Sequence, residues 1–176
     1  MLPAALARKS LGLAALGYEV TGSDISAKAI ERARSEAARR SLSVDFSVAD
    51  MRVAHQHHAR EFDVVLCADN SLPHLLCDQE ICESLGEFFL CTKPRGLCIL
   101  SVRDYATLKR GGVEVKPYGV RVDGTTRYIL FQVWAWRGSL YDLSFYIVQT
   151  VVEASAILLF SVPPTMRFPS STSFVS

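Results

Sequence analysis

Hydrophobic and polar positions follow helical and strand-like spacings in turn along the first hundred residues. Helical patterns cover residues 3–16, 26–40 and 78–90, and strand patterns cover 18–22, 43–48, 62–68 and 97–102. Ile30, Ala33 and Ala37 recur at the spacing of one helix face, behind Ser26 as the N-cap. The runs at 62–68 and 97–102 are nearly all apolar, as in strands covered on both faces. The alternation predicts an α/β fold with a Rossmann-like, mostly parallel sheet.

The pattern changes in the last third of the chain. Residues 127–136 and 140–148 are strand-like, with apolar residues at alternating positions, and are separated by a short link that contains Gly138, which predicts an antiparallel hairpin at the edge of the sheet. Residues from 149 onward differ again, and 166–176 are rich in Ser, Thr and Pro. We therefore predict one domain over 1–150 and a divergent, partly disordered tail over 151–176.

Composition narrows the class of protein. The 176 residues suffice for one compact domain, and 19 Lys and Arg against 18 Asp and Glu give a net charge of +1, which disfavours a nucleic-acid partner. No stretch approaches the roughly 20 apolar residues of a membrane span. Arg8 and Lys9 lie inside the N-terminal apolar stretch, whereas a signal peptide carries its charge before it. These features predict a cytoplasmic protein, and we interpret the five cysteines as reduced and buried.

Candidate chemistry lies where apolar runs end, since ligands of open α/β sheets bind beyond the carboxyl ends of the strands. Asp24 could accept hydrogen bonds from ribose hydroxyls, or it could simply favour the start of the next helix. Asp50 and Met51 suit the amine and the face of an adenine, although an ordinary Asp-initiated turn is the more common outcome.

Two further polar segments follow the later strands. The segment from Ala68 to His74 contains Asp69 and Asn70 directly after the apolar run, although exposed polar loops need no function. Arg103 offers paired donors to a carboxylate, or it could form a surface pair with Asp104.

A short histidine tract contains His55, His57 and His58. Closely spaced histidines can bind a metal ion. No further Cys or His group in the sequence completes a site, so we interpret the tract as a solvated loop and predict no metal.

Several motifs together resemble a known family. They are the segments at 17–26 (GYEVTGSDIS), 49–52 (ADMR), 62–71 (FDVVLCADNS), 73–75 (PHL), 93–97 (KPRGL) and 103–105 (RDY). In this order and spacing, residues 11–148 resemble a class I S-adenosylmethionine-dependent methyltransferase. Within that class they are most similar to the glycine/sarcosine N-methyltransferase type.

The resemblance implies a cofactor, S-adenosylmethionine, and roles for the candidate residues. Cofactor-binding positions would be Asp24 at the ribose, Ile25, Asp50 and Met51 at the adenine, and Ala68, Asp69 and Asn70 near the methionine moiety, with His74 and Arg103 at the substrate. The family transfers its methyl group by direct displacement, which depends on orientation more than on an acid or a base. The resemblance therefore predicts no catalytic residue among the polar side chains.

The sequence departs from the family pattern at both ends. The family's first strand and glycine-rich loop should precede the helix that ends at Gly17, but residues 1–10 contain no glycine. We therefore expect a truncated chain that lacks the first central strand and binds the cofactor weakly or not at all. We also expect the apolar residues 156–162 to take the place of that strand.

Two functions follow as expectations. The first is methyl transfer from S-adenosylmethionine to a small-molecule substrate, an amino-acid-like amine. The alternative is a non-catalytic methyltransferase-like fragment that acts as an interaction partner through exposed sheet edges. A nucleotide-dependent oxidoreductase is disfavoured by the hairpin after residue 127. The sequence leaves a homo-oligomer open.

Overall fold

A computed structural model describes residues 5–105, 107–108, 111–138, 140–151, 154–162 and 165–167. The chain divides into two compact units. The first unit contains Met1–Asp69 and Asp78–Ser101, and the second contains Asn70–Cys77 and Val102–Ser176. The predicted division at residue 150 stays a prediction.

The first unit holds four helices and four strands. The helices are α1 (Ala5–Ala15), α2 (Ala27–Arg39), α3 (Ala54–His58) and α4 (Asp78–Leu90), and a 3-10 turn covers Met51–Val53. The strands are β1 (Thr21–Asp24), β2 (Asp45–Val48), β3 (Phe62–Cys67) and β4 (Thr92–Leu100). Each predicted helix and strand of this region is present, with shifted ends.

The four strands form two separate parallel pairs. β1 pairs with β2, so that Asp24 lies opposite Val48, and β3 pairs with β4, so that Cys67 lies opposite Leu100. Among the described residues no ladder joins the two pairs. A bulge between Phe62 and Val64 shifts the register of the second pair.

The core of the first unit lies between the two N-terminal helices and β2. Ile30, Ala33 and Ala37 of α2 are buried, which confirms the predicted helix face, and the remaining members are Ala7, Leu11 and Phe46. Ser26 caps α2, since its side chain accepts a hydrogen bond from the Ala29 amide. This packing fixes the position of the loop from β1 to α2.

The second parallel pair corrects a prediction. β3 and β4 were expected to be covered on both faces, but Val64, Leu66, Leu97 and Ile99 are between 43% and 61% exposed. Because directly opposed residues of a parallel pair share a face, these four side chains form one apolar surface. Phe89 of α4 is also exposed. The apolar composition therefore identified the two strands correctly. The prediction that both of their faces are buried was wrong.

The second unit is built on an antiparallel sheet. Its strands are β5 (Val113–Asp123), β6 (Thr126–Arg137), β7 (Leu140–Val151), β8 (Ala154–Val162) and β9 (Thr165–Arg167), in the order β5-β6-β7-β8, with β9 also on β7. β6 and β7 form the predicted hairpin. One face of the sheet carries a core of Tyr105, Trp134, Tyr141 and Leu143. The sequence analysis missed β5.

The C-terminal strands correct a second prediction. Residues 156–162 were expected to replace a central parallel strand, but β8 pairs with β7 as an antiparallel neighbour. β8 follows β7 directly in the chain, so pairing with β7 closes only a short loop and costs less entropy than insertion between distant parallel strands. Of residues 166–176, which were predicted to fray, Met166 and Arg167 lie in β9, and 168–176 lie outside the described residues.

The cysteines correct a third prediction. All five are free, but Cys91 alone is buried, whereas Cys77, Cys82 and Cys98 are exposed. Burial raises the pKa of the Cys91 thiol, which keeps it protonated and unreactive.

Candidate functional site

Two of the predicted carboxylates lie at one edge of the first parallel pair. Asp24 is the last residue of β1, and its carbonyl accepts a hydrogen bond from the Ala49 amide at 3.2 Å. Asp50 follows Ala49 directly. The carboxyl ends of β1 and β2 therefore bring Asp24 and Asp50 to the same rim, where ligands of this sheet type bind.

The Asp24 carboxylate is held by a local turn. Its Oδ1 accepts a hydrogen bond from the Ser26 amide at 2.8 Å, just before α2 begins. This contact is the helix-start role that the sequence left as an alternative. No described residue donates a hydrogen bond to Oδ2, and the neighbouring Ile25 is 70% exposed. The turn therefore fixes the carboxylate and leaves one of its oxygens and an apolar side chain open to a ligand.

Both oxygens of the Asp50 carboxylate already accept hydrogen bonds from Arg52. Oδ1 accepts from the Arg52 amide at 2.9 Å, and Oδ2 pairs with the Arg52 guanidinium at 2.6 Å. Arg52 also pairs with Glu80 of α4 at 2.5 Å. The guanidinium lowers the pKa of Asp50 below its usual range. Because each oxygen takes two donors from Arg52, the carboxylate could accept an adenine amine only after Arg52 moves. Met51 lies half-buried in the 3-10 turn beside it.

The end of β3 carries an ion pair that the sequence analysis missed. Asp69 has a left-handed backbone with φ +58°, and its carboxylate pairs with Lys9 of α1 at 3.0 Å. Ala68 is half-buried beside it. Sixty residues separate Lys9 from Asp69, so no local pattern could have indicated the pair. The contact places a cation from α1 at the strand end where the sequence predicted a polar site.

In the second unit, Asn70 fixes the backbone at Arg103. Its Oδ1 accepts from the Arg103 amide at 3.0 Å, and its Nδ2 donates to the hydroxyl of Tyr105. Tyr105 in turn lies 3.2 Å from the hydroxyl of Tyr141, a fully buried residue. Burial raises the pKa of Tyr141. Asn70 and Arg103, both predicted site residues, are therefore held together by a network of neutral side chains.

The Arg103 guanidinium lies over an aromatic ring. Its Cζ is 4.5 Å from the centroid of Trp134, whose ring stacks on Tyr141 at 4.7 Å. Arg103 is exposed and forms no ion pair with any described residue. A cation–π contact uses the face of the guanidinium, so its N–H groups remain available to an anion. In the sequence, Trp134 and Tyr141 follow the same apolar pattern as the other core residues of their strands. The pattern therefore gave no sign that the ring of Trp134 also contacts Arg103.

Two further predicted features are His74 and the histidine tract. His74 lies in a second 3-10 turn, Leu72–His74, and is exposed. The histidine tract lies within α3 instead of in a solvated loop. His57 contacts Ser47 at 2.9 Å, and His58 contacts Ser23 at 3.2 Å. No cluster of metal-ligating side chains occurs within the part of the chain that the structure describes.

A cleft of about 570 Å³ lies at the amino ends of β3 and β4. Its lining includes Glu61, Phe89 and Pro94, and none of the predicted site residues.

In the described ranges, no helix is long and apolar enough to cross a bilayer.

Comparison with known proteins identifies the family. A model described as a methyltransferase domain matches residues 6–96, just over half of the chain, so the chain belongs to this family. The predicted resemblance to class I S-adenosylmethionine-dependent methyltransferases, with a Rossmann-like fold, is thereby confirmed, and S-adenosylmethionine is the cofactor of that class.

Individual relatives agree with this class. The glycine/sarcosine N-methyltransferase of Parasynechococcus marenigrum is 33% identical over 107 residues, which cover 61% of this chain and 38% of that protein. The enzyme of the same name from Aphanothece halophytica is 29% identical over 107 residues, or 61% of this chain and 40% of its own length. The chain thus spans about 40% of the curated relatives it matches.

Solved structures share the fold. The amino pentose methyltransferase CalS10 of Micromonospora echinaspora, solved with bound S-adenosylmethionine, superposes with a TM-score of 0.73 at 16% identity, over 94% of this chain and 66% of that one. The CcbJ methyltransferase of Streptomyces caelestis gives 0.74 at 19% identity, over 92% and 62%.

Proposed function

We propose that this chain carries out S-adenosylmethionine-dependent methyl transfer to a small, amino-acid-like amine. The observation that carries the proposal is the convergence of Asp24 and Asp50 on one rim of a parallel strand pair, within a chain of the methyltransferase family. Similarity to two glycine/sarcosine N-methyltransferases supports an amine acceptor. A cytoplasmic location and a homo-oligomer stay predictions of the sequence.

The residues of the first unit fit the cofactor in part. Asp24 has an open carboxylate oxygen for ribose hydroxyls, and Ile25 is exposed enough to contact an adenine face. The ion pair of Asp50 with Arg52 opposes a role at the adenine amine. For Ala68 and Asp69, and for Asn70 of the second unit, a role near the methionine moiety is the one that the family resemblance implies. The partial fit agrees with weak binding of the cofactor.

When bound, S-adenosylmethionine would supply a methyl group on a positively charged sulfur: the amine nitrogen would bond to the methyl carbon as the carbon–sulfur bond breaks, the sulfur would leave as a neutral thioether, and the amine proton would pass to water. Such a step depends mainly on alignment. Asn70 contributes by fixing the Arg103 backbone, and the Arg103 guanidinium offers paired donors to the carboxylate of the acceptor. His74 is proposed as a further acceptor contact.

Binding of S-adenosylmethionine tests the proposal. Saturation-transfer NMR of the whole chain should detect weak binding, with a dissociation constant well above about 1 µM. Asp24→Asn keeps an oxygen for the Ser26 amide but loses the charge, and should weaken binding at least ~10-fold. Asp63→Asn, at an exposed position paired with Lys93, is the matched control and should change nothing.

Three results would be decisive. Micromolar affinity would refute weak binding while supporting the enzyme. Equal effects of the two substitutions would refute the site. Absence of binding at millimolar cofactor would favour the second function below.

Acceptor recognition is tested separately through Arg103. Arg103→Gln should weaken binding of glycine at least ~10-fold, measured by NMR titration, because a carboxylate loses its charged partner. Binding of methylamine, which has no carboxylate, should be unchanged. A similar loss for both amines would mean that Arg103 does not read the carboxylate.

The second candidate is a non-catalytic fragment that acts as an interaction partner. The exposed apolar surface of β3 and β4 and the occupied Asp50 carboxylate favour it.

A further inference from the structure

The antiparallel sheet of the second unit has two unlike faces. Directly opposed residues of an antiparallel pair share a face, so Ile129 lies beside Val120 of β5 and Val148 of β7. The opposite face carries the buried Trp134 and Tyr141. We name the face that contains Ile129 the outer face.

The outer face is apolar and exposed. Val113, Val115, Val120 and Val122 of β5 are 62% to 69% exposed, and Ile129 is 37% exposed. At its centre the rings of Phe131 and Tyr146 stack with centroids 5.0 Å apart. A contiguous apolar face with a central aromatic pair is typical of a protein interface and not of a solvated surface.

We infer that the outer face binds the outer face of a second copy of this chain, giving a two-fold homodimer of stacked sheets. Four strands about 4.8 Å apart, over about nine residues of about 3.4 Å, span roughly 600 Å² in each copy and roughly 1,200 Å² in both. That area exceeds the roughly 1,000 Å² that a specific interface needs.

The edge of the sheet opposes the other simple way to pair two copies. β5 is an edge strand, but it contains Pro117 and a bulge between Pro117 and Gly119. Proline and bulges interrupt hydrogen bonding to an added strand. Association through the face is therefore favoured over continuation of the sheet from edge to edge.

Charged side chains of the outer face lie at its two ends. Arg127 lies at one end, opposite Val122, and at the other end Asp142, opposite Ala135, pairs with Arg137 at 2.8 Å. The central positions between them carry no charge. A second copy therefore meets an apolar centre in which no charge has to be buried.

Sedimentation equilibrium of the whole chain tests the inference. The wild type should have twice the monomer mass of 19.5 kDa at about 100 µM. The double substitution Val115→Lys and Val120→Lys places four charges in the dimer interface and should weaken association at least ~100-fold. Leu16→Lys, 76% exposed in the first unit, is the control and should stay dimeric.

Circular dichroism establishes that each variant is folded, and Val113→Lys at the strand end replaces the double variant if that one unfolds. A monomeric wild type, or lysine variants that stay dimeric, would overturn the inference. The measurement needs no methyl transfer, so its outcome is independent of the proposed function.

Discussion

The two parallel strand pairs of the first unit are similar in sequence pattern, but they differ in how far other elements bury their side chains. β1 and β2 lie against α1 and α2, where Phe46 is 3% exposed. In β3 and β4, Val64 and Leu97 lie opposite each other at 49% and 61% exposure. Apolar strands are therefore not in themselves a core. Burial depends on which element packs on each face, and the stability of the two pairs should differ accordingly.

The largest expected effect compares one substitution in the two settings. Ile30→Ala removes a side chain that is 1% exposed beneath the first pair, and should lower the free energy of unfolding by about 2–5 kcal/mol. Ile99→Ala removes one that is 46% exposed on the second pair, and should cost less than about 1 kcal/mol. Urea denaturation measures both. Equal losses would mean that the β3–β4 surface is covered in solution.

A smaller effect concerns the glycines of the two pairs. A Cβ at Gly96 would lie 2.9 Å from the carbonyl oxygens of Asp63 and Lys93, whereas one at Gly22 would meet the ring of Phe46 at 3.0 Å. Backbone cannot move aside as a side chain can. Gly96→Ala should therefore cost about 1–3 kcal/mol in urea denaturation, and Gly22→Ala should cost less.

Gly12→Ala is the matched control for this pair of variants. Its Cβ would meet nothing within 4 Å, and in helix α1 it should add up to about 1 kcal/mol of stability. A cost at Gly22 larger than that at Gly96 would show that the first pair is the more rigid one.

The smallest effect concerns the side chain that contacts both pairs. His58 lies 3.2 Å from Ser23 of β1 and packs edge-on against Phe62 of β3. Burial and then the neighbouring His57 lower its pKa, with a further lowering by Arg60 and an opposing contribution from Asp45. The folded state thus binds the proton less readily than the unfolded state, so stability is full above about pH 6.5 and falls as the pH drops through the folded pKa.

His58→Gln should remove up to about 1 kcal/mol of this acid-side loss, measured by urea denaturation between about pH 7 and 5. His55→Gln, which takes no part in these contacts, is the control and should keep the wild-type pH dependence. A His58→Gln profile that matches the wild type would mean that His58 does not couple protonation to folding.

Local rules predicted the first unit better than the second. The Ser26 cap and the buried face of Ile30 and Ala33 depend on the spacing of residues within one helix, so both could be predicted from the sequence. β5 was missed because the bulge at Pro117 breaks the alternation that Val113 and Val120 would otherwise share.

The candidate site was predictable in position and not in its contacts. Asp24 and Asp50 follow strand ends, which the pattern reveals. The partners Lys9 of Asp69 and Trp134 of Arg103 are distant in the chain, so only folding brings them together. Arg52 lies two residues from Asp50, and that spacing could have indicated their pairing.

The left-handed backbone at the end of β3 limits which amino acids can occupy two adjacent positions. Asp69 and Asn70 have φ values of +58° and +62°. Side chains branched at Cβ are excluded from this region, whereas Gly, Asn and Asp enter it at little cost. A library randomised at positions 69 and 70 and selected for folding would thus return mainly these three amino acids. The backbone conformation therefore limits the residue types at these two positions before any requirement of ligand binding applies.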